Sequence, residues 1–287
     1  MAEFNCVARK SIMAQKKSKT MPPAMILCGG KGTRLRDISE VLPKPMVTIG
    51  EQPIVWHIMK CYAAFGVRRF ILCLGYKREA FVDYFVNYHL RTSDATVTLG
   101  HDANIRFHEV NPEADWEVTL AGTGVDTCTG LRVAMASKYL RPEDKDFFLT
   151  YGDGVADIDV DALYAQHLRG RRLLTLSAVH PAGRFGQMLM DGDKVVGFEE
   201  KPLQGEGYIN GGFMVMNRGF VKKYLPLEKD VFLEKEPFQN ALANKYMQAY
   251  RHEGFWQCMD NSREYHYLNE LWSEGNAPWT RHWRRKA

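Results

Sequence analysis

The sequence predicts an α/β fold with a mostly parallel, doubly wound sheet, and three observations carry that reading. Short apolar runs without polar alternation, such as Met25-Ile26-Leu27-Cys28 and Phe70-Ile71-Leu72-Cys73-Leu74, read as strands buried on both faces. Stretches of helical apolar spacing lie between such runs. The chain has 287 residues, 45% hydrophobic and 25% charged, which is ordinary for a globular protein. It contains neither an internal repeat nor a clear linker, so residues 24–287 read as one domain.

Residues 1–23 lack periodicity and end in Pro22-Pro23; they read as a basic, disordered tail. The first strand, 25–28, runs straight into a glycine-rich turn. Residues 53–65 have helical apolar spacing, with Pro53 in the first turn and Gly66 as the stop. A strand over 70–74 and a helix over 78–90 follow. Phe147-Phe148-Leu149-Thr150-Tyr151 is a strand that enters Gly-Asp-Gly. A helix over 159–169 and a strand over 173–179 come next. Residues 185–200 read as a hairpin about Asp191-Gly192-Asp193. Gly211–Met216 reads as another strand, and 262–272 as an amphipathic helix.

Composition removes several classes of function. The net charge is +4, but the first twenty residues carry +4 and the last eight another +4, leaving the body at −4. The basic character belongs to the ends, and no basic face interleaved with aromatics points to nucleic acid. No apolar run approaches a membrane span, and the N-terminus lacks a secretory core. The six cysteines form no C-x-x-C pair and no zinc-like cluster with histidine, so a reduced, cytoplasmic protein is expected. The aromatic C-terminal segment with Trp272, Trp279 and Trp283 is expected as a contact surface between copies.

Directly after the first strand comes Gly29-Gly30-Lys31-Gly32-Thr33-Arg34-Leu35. Three glycines let backbone N–H groups approach an anion closely, and Lys31 and Arg34 add positive charge. The pattern G-x-x-x-x-G-K-[ST] fits nowhere, and G-x-G-x-x-G starts at Gly30 and Gly32 but meets Leu35 where its third glycine belongs. On glycines alone the segment reads equally well as a connecting loop; the cations in the same turn favour a phosphate cradle. Lys44 stands between Pro43 and Pro45, which fix the backbone on both sides. A rigid surface turn is the plainer alternative there. Asp153 sits between glycines after an apolar strand, where a parallel sheet binds ligands, although Asp there is also a common turn former. Asp260 ends an apolar run and precedes a helix, which also suits an N-cap.

The run G-G-x-G-T-R-L followed by P-K-P-M resembles the signature of the sugar nucleotidylyltransferase family. The resemblance continues through Y-G-D-G (151–154), G-R-F-G (183–186), E-K-P (200–202), I-N-G-G-F (209–213), F-W-Q-x-M-D (255–260) and L-W-x-x-G-x-A-P-W (271–279). It spans about residue 25 to 280. It implies a Rossmann-like sheet of the nucleotide-diphospho-sugar transferase type and a Mg²⁺-dependent transfer of a nucleotidyl group to a sugar 1-phosphate. The full set is most similar to members that use CTP and α-D-glucose 1-phosphate, releasing pyrophosphate, and it implies a homo-oligomer.

The resemblance also implies roles. Arg34, Lys44 and Lys201 become catalytic cations, and Asp153 and Asp260 the metal ligands. The nucleotide falls to Leu27, Gly29, Gly30, Lys31, Gly32, Thr33, Arg34 and Lys44, with Asp153 at the metal. Its base side falls to Thr123, Gly124, Thr129, Gly130 and Arg132. The sugar phosphate falls to Gly186, Glu200, Lys201, Asn210 and Gly212. The chain departs from the family pattern at Cys28 for Ala, Gly122 for Asp, Leu131 for Gly and Asn261 for Thr. The departures at 122 and 131 leave the base open, and the same chemistry with UTP, dTTP or another phosphorylated sugar or polyol is the first alternative. A catalytically silent regulatory subunit is a further alternative. A phosphate monoester is mostly dianionic near neutral pH, with a second pKa of about 6, so the expected nucleophile needs no general base. None of the nine histidines lies in these motifs.

Overall fold

The computed structural model of the chain describes residues 21–32, 42–100, 104–109, 111–181, 187–191, 194–199 and 207–283. Thr33, Arg34, Gly186, Glu200 and Lys201 lie outside the described residues, as does the expected tail up to residue 20.

Seven strands form the central sheet: β1 (Ala24–Cys28), β2 (Arg69–Leu74), β3 (Glu117–Gly122), β4 (Asp146–Tyr151), β5 (Leu174–Val179), β6 (Ile209–Asn217) and β7 (Met247–His252). Their spatial order is β7-β5-β6-β4-β1-β2-β3. Six run in one direction; β6 alone opposes, pairing antiparallel with both β4 and β5. The sheet is therefore mostly parallel, as the apolar runs predict. Alternate residues of β1 feed separate cores. Ala24, Ile26 and Cys28 pack with one cluster and Met25 and Leu27 with the other, which is why the run needs no polar positions.

Helices α1 (Ile54–Ala63), α2 (Arg78–Val86), α3 (Tyr88–Thr92), α4 (Thr129–Ala136), α5 (Val160–Gly170), α6 (Arg218–Tyr224), α7 (Glu236–Ala243) and α8 (Ser262–Ser273) flank the sheet. The expected helix 78–90 is two helices. Asn87 interrupts it by donating its side-chain amide to the Asp83 carbonyl at 3.0 Å, a local bond that competes with helix propagation. Gln187–Asp191 and Lys194–Glu199 pair antiparallel, as the two arms of the expected hairpin. The expected contact surface of tryptophans turns inward instead. Trp272, Trp279 and Trp283 surround His57 with ring centroids 4.8, 6.0 and 5.7 Å away, and Trp279 is 1% exposed. Trp279 Nε1 donates to His57 Nδ1 at 3.2 Å. Burial pushes the His57 pKa down to about 4, so the imidazole is neutral there. Among the described residues no helix is long and apolar enough to cross a membrane.

Chain order fixes where a ligand belongs. After β1 the chain builds β2 and β3 on one side of it, then returns to place β4 on the other. The carboxyl ends of β1 and β4 therefore flank the topological switch point. The glycine loop leaves β1 there, and Gly152-Asp153 leaves β4.

Candidate active site

A cleft of about 600 Å³ opens at this switch point. Its walls include the glycine loop, Lys44, residues 125–129, Tyr151, Asp153 and Asp260. Lys44 opens a short 3₁₀ turn, Lys44–Met46, with Pro43 extended before it and Pro45 inside it. Gly32 has φ +61°, and a Cβ on it would lie 3.0 Å from Lys44 Cβ, so the loop and the Pro-Lys-Pro turn are in contact.

The two aspartates, 107 positions apart in the sequence, meet through backbone pairing. Gly154–Ala156 and Trp256–Cys258 form a short antiparallel ladder in which Gly154 faces Cys258. One step further, Met259 N–H donates to the Asp153 carbonyl at 2.8 Å. Asp153 and Asp260 thus leave the same end of the ladder. Lys44 Nζ donates to Asp153 Oδ2 at 2.6 Å and also to Asp260 Oδ1. Burial alone would lower the Lys44 pKa, but the two carboxylates outweigh it and raise the ammonium above its ordinary range. The cluster carries one positive and two negative charges. Asp260 is not the cap of α8, as an alternative reading had it; Asn261 takes that place, its Oδ1 accepting from Glu264 N–H at 3.1 Å. Glu264 Oε2 in turn accepts from Asp260 N–H at 2.6 Å, fixing the backbone that carries the carboxylate.

The glycine loop is pinned from behind by Arg132, which is 4% exposed. Its guanidinium donates to Thr123 Oγ1 at 2.9 Å, Gly124 O at 2.6 Å, Val125 O at 3.0 Å and Gly29 O at 3.2 Å. Gly29 is glycine for this reason: a Cβ would lie 2.0 Å from Arg132 Nη1. Among the described residues, a Cβ on Gly30 would meet no atom within 4 Å. Lys31 reaches across the cleft mouth to Asp126 at 2.7 Å, in an exposed pair. Leu27 lines the cleft and accepts Gly152 N–H on its carbonyl at 3.0 Å.

The other residues expected at the nucleotide are placed differently. Thr123 is buried and donates its hydroxyl to Leu74 O at 2.8 Å. Thr129 lines the cleft but donates to Glu234 Oε2 at 2.8 Å, and Gly130 is packed under the Val231 carbonyl. On the expected sugar side, β6 bulges so that residues 211–213 oppose Ser177 alone, whose Oγ accepts Phe213 N–H. Asn210 Oδ1 accepts Gly212 N–H at 3.0 Å, and Gly212, at φ +84°, lies against the Tyr151 ring, where a Cβ would be 2.7 Å from Cδ2. Tyr151 donates its hydroxyl to Glu234 Oε1 at 2.6 Å and stands between the cleft and the Asn210–Gly212 turn.

Sequence reasoning missed Tyr151, Asp126, Glu234 and Glu264. Glu264 left a readable signal, three residues after Asn261 in the spacing of a capping box, and Tyr151 opens the motif Y-G-D-G.

The fold and this site define an α/β protein of the nucleotide-diphospho-sugar transferase type. Residues 23–272 match the nucleotidyl transferase family model, and the chain belongs to that family. The glucose-1-phosphate cytidylyltransferase of Salmonella typhi is 41% identical over 258 residues, covering 89% of this chain and 98% of its own. The enzyme of the same name from Salmonella typhimurium gives the same figures. Among solved structures, HddC from Yersinia pseudotuberculosis superposes with a TM-score of 0.61 at 23% identity, over 88% of this chain and 100% of its own, which shows a shared fold.

Proposed function

We propose that the protein condenses CTP with α-D-glucose 1-phosphate to CDP-glucose and pyrophosphate, with Mg²⁺ held by Asp153 and Asp260. The observation that carries this reading is the meeting of Asp153, Asp260 and Lys44 beside the glycine loop at the switch point. The 41% identity to cytidylyltransferases supports the choice of substrates. The donor set suits Mg²⁺, which takes one or two carboxylates and completes its octahedron with phosphate oxygens and waters. Two carboxylate oxygens already converge on one cation, the Lys44 ammonium. When bound, the metal supplies divalent charge that offsets phosphate repulsion and polarises the phosphoryl oxygens.

In this reading the triphosphate lies along the glycine loop, where Gly30 leaves room for close backbone approach and Lys31 exchanges Asp126 for phosphate. Lys44 holds its proton and contributes fixed positive charge at the reacting phosphate. A sugar-phosphate oxygen attacks the α-phosphorus. A new P–O bond forms, the bond to the bridging α–β oxygen breaks, and pyrophosphate leaves with that electron pair. The attacking dianion needs no base, and among the described residues no histidine lines the cleft. Cys28 lines it, but burial holds its thiol protonated. Arg34 is assigned to the leaving pyrophosphate and Lys201 to the sugar phosphate by family resemblance. Tyr151 orders the Asn210–Gly212 turn that would meet the sugar. The protein's work is positioning and charge compensation.

The proposal includes a cytoplasmic enzyme, supported by the free thiols of the five cysteines among the described residues, Cys28, Cys61, Cys73, Cys128 and Cys258. It also includes a homo-oligomer, supported by the exposed Leu99, Ile105 and Phe107 in and beside the hairpin Ala95–Thr98 with Asn104–Phe107. A competition assay with equal CTP and UTP and saturating glucose 1-phosphate tests the substrate assignment. An unpaired buried acceptor costs roughly 1–3 kcal/mol, so CTP is expected to win by at least about tenfold in kcat/KM. Equal use of the two removes the cytidylyl assignment.

A further inference from the structure

Two hydroxyls of the cleft wall, those of Tyr151 and Thr129, give their protons to one carboxylate. Tyr151 donates to Glu234 Oε1 at 2.6 Å and Thr129 to Glu234 Oε2 at 2.8 Å. A carboxylate accepts and does not donate, whereas a hydroxyl has one proton and two acceptor positions. The direction of both bonds is therefore set by chemistry. Thr129 Oγ1 shows the same division of roles, since it also accepts Leu233 N–H at 2.9 Å.

Glu234 is exposed, yet the chain that carries it is fixed. Residues 230–234 lie on the first turn of α4 and are tied there three times. Cys128 N–H donates to Asp230 Oδ1 at 2.8 Å, Gly130 N–H to the Val231 carbonyl at 3.0 Å, and Leu233 N–H to Thr129. Leu233 is fully buried between these ties and Glu234. On the other side, the Tyr151 ring is held against Gly212, in the turn that the proposed function gives to the sugar.

With its proton committed to Glu234, the Tyr151 oxygen has only lone pairs to offer a ligand. It can pair with a group that brings a proton, such as a sugar hydroxyl, and not with a fluorine or an ether oxygen. We infer that Glu234 is a positioning residue for the acceptor substrate: by taking the Tyr151 proton it makes the phenol oxygen an acceptor, which selects a sugar hydroxyl that donates to it. The inference rests on the function proposed above, and it adds a carboxylate outside every motif of the resemblance.

The experiment measures kcat/KM with CTP for glucose 1-phosphate and for its mono-deoxyfluoro analogues, one for each ring or exocyclic hydroxyl. The proteins are wild type, Tyr151→Phe, Glu234→Ala and the double variant. Fluorine cannot donate, so wild type is expected to lose roughly five- to tenfold at one position, the cost of one hydrogen bond. At that position each single variant is expected to bring the loss down to about twofold or less, and the double variant to lower it no further, as two members of one network should behave. The inductive pull of fluorine on the phosphate is common to all four proteins and cancels in the comparison. Glu234→Gln keeps the side-chain shape and serves should the alanine form fold poorly. It offers one acceptor oxygen to two hydroxyls, so its selectivity is also expected to fall. A selectivity unchanged in Glu234→Ala and Glu234→Gln, with all sugars slowed equally, makes Glu234 a structural tie alone and overturns the inference. A wild-type series without a discriminating position overturns it too. Selectivity that responds to Glu234 at the 2′-hydroxyl of CTP instead places Tyr151 at the ribose and overturns the sugar assignment. No transfer from any nucleoside triphosphate to glucose 1-phosphate itself refutes the proposed function, and that result is seen before any analogue is compared.

Discussion

The contrast between Gly29 and Gly30 tests how the glycine loop is held. A methyl group at Gly29 would lie 2.0 Å from Arg132 Nη1 and 2.2 Å from Cζ. The guanidinium sits at the end of a flexible side chain and can swing aside, but only by abandoning its bonds to Thr123 Oγ1, Gly124 O, Val125 O and Gly29 O. A hydrogen bond to a charged group is worth roughly 1.5–3 kcal/mol net, and the carbonyls at the cleft edge partly rehydrate. Gly29→Ala is therefore expected to cost about 3–5 kcal/mol in urea unfolding, read from the midpoint at constant m. Gly30→Ala meets no atom of the described residues within 4 Å and is expected to stay within about 0.5 kcal/mol, while raising the KM for CTP because the methyl occupies the proposed phosphate approach. A double-mutant cycle isolates the cause. In an Arg132→Ala background the added methyl has room, so Gly29→Ala is expected to cost less than about 1 kcal/mol there. Additive costs in the two backgrounds would refute the steric link between Gly29 and Arg132.

Two further predictions follow from the acidic pair. Asp153→Asn removes one of the two carboxylates that meet at Lys44; kcat/KM is expected to fall by about 10²-fold or more, the usual cost of losing one preorganised electrostatic group. Asp153 is about one-third exposed, so its unfolding midpoint is expected to move little, and near-normal activity would sink the assignment. The second concerns pH. Lys44 has a raised pKa, so the stability from its ammonium is complete below the ordinary lysine value and is lost only as pH rises through the raised one. Between pH 7 and 9 kcat/KM is therefore expected to be flat, with an acid limb near the second phosphate pKa of about 6. A limb between pH 7 and 9 would reveal a titrating protein group that the mechanism lacks.

How much was legible depended on whether neighbours in sequence are neighbours in space. The strands at 24–28, 69–74 and 146–151 announce themselves because each is buried on both faces and so is apolar throughout. The edge strand β3, Glu117-Val118-Thr119-Leu120-Ala121-Gly122, is only partly buried, so its polar and small residues hid it. The resemblance gives Thr123, Gly124, Thr129, Gly130 and Arg132 to the base, but the stretch that carries them is not one open surface. It holds the end of β3 and the start of α4, with Arg132 spending its donors on Thr123, Gly124 and Val125 of the same stretch and on Gly29 of the glycine loop. The direction of β6, the strand that opposes the other six of the central sheet, was not legible either. Gly211–Met216 has the same continuous apolar character as its parallel neighbours, because burial, which both directions share, sets composition.

The pairing of Asp153 with Asp260 shows what sequence patterns can and cannot carry. Each aspartate stands in a motif, yet neither motif contains the distance between them. That distance is set by register: Gly154 opposite Cys258, Val155 opposite Gln257, Ala156 opposite Trp256, and then the Met259 N–H on the Asp153 carbonyl. Side chains alternate faces along a strand, so a slip of one residue would turn the Asp260 carboxylate to the other side of the ladder. Trp256 holds the register from its flank, its indole N–H donating to Gly211 O at 2.7 Å in the bulge of β6. The bulge that shapes the proposed sugar side therefore also fixes the strand that delivers Asp260. Residues far apart in the motifs act on one carboxylate, which is why the pair is a property of the sheet and not of either segment alone.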